Sequence, residues 1–208
     1  MISASAPLTA LSMLLLSLAL ATVLLPLNRL PPAWRLAMPV VIAALVLLPV
    51  SDYPGWYYVR SIFGDPSVTA LLFYIALLLQ QYFSVTLYRS NELGMLRWLL
   101  IATTALLYPF ALGLTMFDSY SLGYSNPWLL AVLFIMALFF WLRKYYFLAV
   151  IITAAVVAFT LQLLESRNLW DYLIDPLFLI VMLLTWFRPS LSRATPANPT
   201  HARQFINP

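Results

Sequence analysis

The chain has 208 residues, of which 63% are hydrophobic and only 9% charged, with a formal net charge of +4. A soluble domain carries about 25% charged residues, so a water-soluble globule is excluded and the bilayer is read as the solvent. Cysteine is absent and His201 is the single histidine, which excludes disulfides and thiolate chemistry and leaves no histidine cluster for a metal or haem.

Apolar runs predict seven spans. The first covers residues 8–27; the residues before it, MISASAP, hold no Lys or Arg, so it reads as a retained helix rather than a cleaved signal. A turn with two arginines and Pro31-Pro32 leads to a second run at 36–50, which must extend back to Trp34 to approach the ~20 residues of a perpendicular span. The third run is 68–87 and carries Gln80 and Gln81. The fourth, 95–116, is expected to kink at Pro109. The fifth, 127–142, ends at an Arg143-Lys144 turn, the sixth is 145–164, and the seventh, 176–187, is short. Borrowing from residue 169 onward would lengthen that last span and draw Asp171 and Asp175 into the outer leaflet, where each needs a partner.

Nine of the eleven Lys and Arg fall on one side of these spans; only Arg60 and Arg167 fall on the other. The positive-inside rule puts the N-terminus outside and the tail in the cytoplasm. Three polar stretches, 51–67, 117–127 and 165–176, then share the outer face. Each ends in an Asx-Pro pair that opens a run: Asp65-Pro66, Asn126-Pro127 and Asp175-Pro176. Asp and Asn suit a helix N-cap and Pro its first turn, so capping accounts for the recurrence without an internal triplication.

Candidate chemistry sits in those stretches, because no span holds a charge at its centre, where a pump or ion-coupled transporter needs one. Asp52, Asp65, Asp171 and Asp175 are the candidate catalytic carboxylates. Asp171 and Asp175 stand i, i+4, so a helical 168–175 would place them on one face with Asn168, in an amphipathic interfacial segment. Trp56, Val59 and Phe63 fall at i, i+3 and i+7 and predict a second interfacial helix after Pro54-Gly55. Arg60, Arg167, Tyr57 and Trp170 are the candidate ligand-binding residues: an arginine grips phosphate and a carboxylate activates a hydroxyl. The same residues also read as caps, ion pairs and an aromatic belt. Gln80 and Gln81, the most polar pair within a span, either line a path or bond to a neighbouring element.

The expectation is an all-α, polytopic integral membrane helix bundle of about seven transmembrane helices over residues 1–189, with short interfacial helices outside and a disordered cytoplasmic tail over 190–208. The lack of Cys and of N-x-[ST] acceptors and the short turns lean towards a bacterial inner membrane. The expected function is a non-catalytic accessory or scaffold protein of the cell envelope, presenting an outer aromatic-acidic surface to a partner protein or lipid. The alternative is an enzyme or flippase handling a lipid-linked phosphate or glycan at the outer leaflet; a small-solute transporter ranks below both. No cofactor, metal or nucleic acid is implied, and whether the chain is an enzyme stays open.

Overall fold

The computed structural model describes residues 6–25, 27, 30–113, 118–124 and 126–187. The expected tail, 190–208, lies outside the described residues. The described residues are all-α apart from one two-residue-per-strand hairpin. In order it forms α1 (Ala6–Leu24), α2 (Pro32–Leu47), the hairpin β1 (Pro49–Val50) and β2 (Tyr53–Pro54), α3 (Gly55–Phe63), α4 (Val68–Phe83) and α5 (Ser90–Ala111). A 3-10 turn (Tyr120–Gly123) precedes α6 (Pro127–Leu142), α7 (Tyr146–Thr160), the short α8 (Trp170–Leu173) and α9 (Pro176–Trp186).

All seven apolar runs fold as helices, because Leu, Ala and Met favour the helix and few breakers interrupt them. Hydroxyls inside the runs are satisfied locally: Ser12, Ser17 and Thr22 donate to the Leu8, Met13 and Leu18 carbonyls at 2.8–2.9 Å. Several helices are nevertheless shorter than their runs, α4 and α7 most of all, at 16 and 15 residues. Among the described residues, only α1 and α5, with 19 and 22 residues, are long and apolar enough to cross a membrane. The helices α2, α4 and α6 have 16 residues, α7 has 15 and α9 has 11; 16 residues rise only about 24 Å. Left-handed residues follow the two most shortened, Ser84 (φ 56°) after α4 and Gln162 (φ 52°) after α7, and Lys144 (φ 60°) makes the tight turn between α6 and α7.

Phe73, Tyr74, Leu148, Phe178 and Met182 are fully buried, placing α4, α7 and α9 at the centre. Phe178 meets Phe73 at 5.6 Å and Tyr74 at 6.1 Å, ring centre to ring centre. At the edge, α3 seats on α2 through Gly55, where an added Cβ would lie 1.8 Å from the Leu45 carbonyl oxygen. This is the predicted helix after Pro54-Gly55: Trp56 and Val59 face the core, while Phe63 stays 43% exposed.

The long helices alternate in direction, so one end of the bundle gathers α3, α8, the 3-10 turn and six of the seven acids; Glu92 alone lies at the opposite end. There it joins two helix starts. Its carboxylate accepts from the Arg89 amide (2.8 Å) at the start of α5 and the Phe147 amide (3.0 Å) at the start of α7, satisfying donors that a helix N-terminus leaves open.

Candidate functional site

The segment 165–175 is the hub of the acidic end. It is not the helix expected over 168–175: only Trp170–Leu173 is helical, and Asp175 is extended (φ −142°) as the N-cap of α9. Asp171 and Asp175 therefore do not share a helical face, and α9 does not start near residue 169. The cause is the Asp-Pro step, since a residue before proline is pushed out of the α region.

Asp175 makes two bonds in different directions. Oδ1 accepts from the Phe178 amide at 2.6 Å, capping α9, and Oδ2 accepts from the Ser67 amide at 2.8 Å. Ser67 in turn caps α4, its Oγ accepting from the Ala70 amide at 3.2 Å. The Thr69 hydroxyl donates to the Leu173 carbonyl, so the Ser67 hydroxyl is the donor in its 3.1 Å contact with Thr69. One carboxylate thus fixes the starts of α4 and α9 together. Asn126 also caps as expected, accepting from the Trp128 amide at 2.9 Å. The Asp65-Pro66 pair does not: Ser67 takes that role, and Asp65 receives both arms of Arg60 at 2.8 and 2.7 Å.

Arg60 bridges further to Glu165 at 2.9 Å, linking α3 to the hub. The Asp65 hydrogen bond, opposed by partial burial and aided by Glu165, holds the guanidinium above its ordinary pKa. Arg60 and Asp65 are about a third exposed and Glu165 more so, so the pairs position the loop more than they stabilise it. Two acids thus engage the Arg60 guanidinium.

Asp171 accepts from the Tyr120 hydroxyl (2.9 Å) and from the Ser166 hydroxyl. Burial, reinforced by Asp171, pushes the Tyr120 phenol above its usual pKa. Asn168, fully buried, donates to the Tyr120 carbonyl and accepts from the Trp170 amide, both at 2.9 Å. The Trp170 indole donates to the Ser119 carbonyl at 3.1 Å. The close approach requires Gly123: an added Cβ would lie 1.7 Å from Asn168 Oδ1. So Asp171 and Trp170 are built into a locked junction between the loops around Tyr120 and Asn168.

The remaining candidates stand apart. Asp52 is exposed on the hairpin turn, Arg167 is exposed on the surface of the hub, and Tyr57 stacks on Tyr53 at 4.6 Å, with both rings exposed. Gln80, near the far end of α4, accepts from the Tyr88 hydroxyl at 2.6 Å, and Gln81 is half-buried beside it. The residues that sequence reasoning missed are Ser67, Tyr120, Glu165 and Glu92; Asn168, expected on a helical face with the acids, instead bridges two loops. Ser67 and Glu92 had a local signal, Ser67 as a hydroxyl directly before an apolar run and Glu92 at the third position of a helix start.

Beneath the junction lies an apolar cavity of about 420 Å³. Leu100 and Leu107 of α5, Leu133 of α6 and Ile151 of α7 form its walls, and Trp170 and Ser119 meet it at the acidic end. It offers volume for a hydrocarbon group but almost no polar contact.

No protein-family model matches the chain, and neither a curated protein nor a solved structure matches it.

Proposed function

We propose that the chain is a non-catalytic scaffold protein of the cell envelope, seated in a bacterial inner membrane by seven helices, with the N-terminus outside and the C-terminus in the cytoplasm. It presents its acidic end to a partner protein or lipid. The observation that carries this reading is the engagement of the acids. Asp65, Asp171 and Asp175 all accept hydrogen bonds that hold loops or helix starts together, so none is left facing a space where a reacting atom would sit. What the end offers outward is the Tyr53–Tyr57 stack, Asp52 and Arg167.

The membrane reading is supported by the outer faces of the helices. Trp128, Phe134, Ile135 and Leu142 of α6 are 64–78% exposed, an apolar surface too continuous for water. Helices of 15–16 residues fit a bilayer that thins locally or is bounded by snorkelling flanks.

The second reading, a lipid-handling enzyme or flippase, is favoured by the apolar cavity under Trp170, which suits an acyl chain. The two readings separate in cells depleted of the native gene and complemented with Asp52→Asn, Asp171→Asn or Asp175→Asn. A scaffold predicts complementation that follows the amount of protein in the membrane. A variant that accumulates fully yet fails to complement would favour the enzyme.

A further inference from the structure

Arg97 is the one arginine described in the interior of a long helix, at 8% exposure on α5. Its Nη2 donates to the Thr185 hydroxyl at 3.1 Å, and its guanidinium lies 5.6 Å from the centre of the Trp186 ring, both at the end of α9. Thr185 spends its own proton on the Met182 carbonyl at 2.7 Å. The Nε of Arg97 is buried with no hydrogen-bond partner among the described residues.

No acid answers this cation. All seven acidic side chains lie within the described residues, and the ion pairs they form there are those of Arg60 with Asp65 and Glu165. Glu92 is the only acid at this end, and its two oxygens are taken by the Arg89 and Phe147 amides. Tyr88 supplies no charge, because burial pushes its phenol up to about 12. The face of Trp186 offsets part of the cost of desolvating a guanidinium, yet a buried charge normally carries a hydrogen-bonded counter-ion. The chain supplies a planar donor fork and withholds the anion.

We infer that Arg97, flanked by Thr185 and Trp186, binds a phosphate group between α5 and α9 at the end of the bundle opposite the acidic hub. The fork geometry of a guanidinium matches phosphate oxygens two at a time. In the membrane orientation proposed above, this site lies at the cytoplasmic leaflet, where a phospholipid head group supplies the phosphate; the anion site itself does not depend on that orientation, because free phosphate carries the same chemistry.

The test uses the full chain in a nonionic detergent with chloride buffer and follows thermal unfolding. The probes are phosphatidylglycerol in mixed micelles and inorganic phosphate at matched ionic strength. The expected result is a rise in Tm of roughly 5 °C at saturation, absent in Arg97→Gln and kept in a chain with the exposed Arg143 and Lys144 both changed to Gln. A rise with the lipid alone assigns the site to a head group, and a rise with inorganic phosphate alone assigns it to a free anion. If Arg97→Gln does not accumulate, Arg97→Lys decides: losing the fork should raise the half-saturating concentration about 10-fold or more. No rise with either probe overturns the inference, as does an Arg97 variant that responds like the native chain.

Discussion

The Asp175 carboxylate accepts a hydrogen bond from the Ser67 amide, 108 positions earlier in the chain, while its other oxygen caps α9. Two helix starts therefore depend on one side chain. Asparagine caps a helix about as well as aspartate, but its amide presents only one acceptor oxygen and would turn an NH₂ towards the second donor. Asp175→Asn should thus cost about 1–3 kcal/mol, the range for stranding one buried donor. Asp175→Ala should cost more. Thermal or denaturant unfolding in bilayers or mild detergent checks both, and an Asn variant as stable as the native chain would mean that the Ser67 bond contributes nothing.

Glu92 plays the same part at the other end and should respond alike. Glu92→Gln keeps one acceptor oxygen for two amides, those of Arg89 and Phe147. The expected loss is about 1–2 kcal/mol, with faster amide exchange at the first turns of α5 and α7. Exchange that rises at α5 alone would show that Phe147 does not depend on this carboxylate.

Gly123→Ala should open the junction between the loops around Tyr120 and Asn168. The new methyl would fall on Asn168 Oδ1, and Asn168 is held from both sides by backbone. Overpacking of this kind costs about 1–3 kcal/mol. The indole bond from Trp170 to Ser119 should weaken with it, so Trp fluorescence should shift to the red. An unchanged spectrum and stability would contradict the locked junction.

Alkaline pH should destabilise the fold through its buried phenols. Burial raises Tyr88 to about 12 and also raises Tyr120. A phenol raised in the folded state favours folding fully below its unfolded pKa of about 10. The unfolded chain ionises first above that, so stability falls from about pH 10 and the contribution is gone above the folded value. Tyr88→Phe should flatten the fall between pH 10 and 12, measured as Tm against pH. An equal slope in that variant would place the alkaline sensitivity elsewhere.

The sequence carried the helices and not their connections. Apolar runs located α1, α2, α4, α5, α6, α7 and α9, because burial and helix propensity are local properties. Asn126 and Asp175 were legible as caps through the proline that follows. Asp65 had the same Asp-Pro signature but lies opposite Arg60, one helical turn and a glycine away, and Gly64 with φ 72° turns it back to that partner. Ser67, closer to the helix, then caps in its place. The pairings of Tyr120 with Asp171, Arg60 with Glu165 and Ser67 with Asp175 join residues 51, 105 and 108 positions apart, a separation at which no periodicity speaks. Arg97, two residues into the fourth apolar run, enters the sequence reading only through the count of charges by side; its neighbours on α9 reveal it as an interior cation.

Site-directed labelling tests the seven-helix membrane arrangement most directly, on a chain with no native cysteine. Single cysteines at Ser61, Ser121 and Arg143 occupy exposed positions, two at the acidic end and one at the turn between α6 and α7. A membrane-impermeant maleimide applied to intact spheroplasts should label positions 61 and 121 and reach 143 only after lysis. Labelling of position 121 from the cytoplasmic side alone would contradict the arrangement.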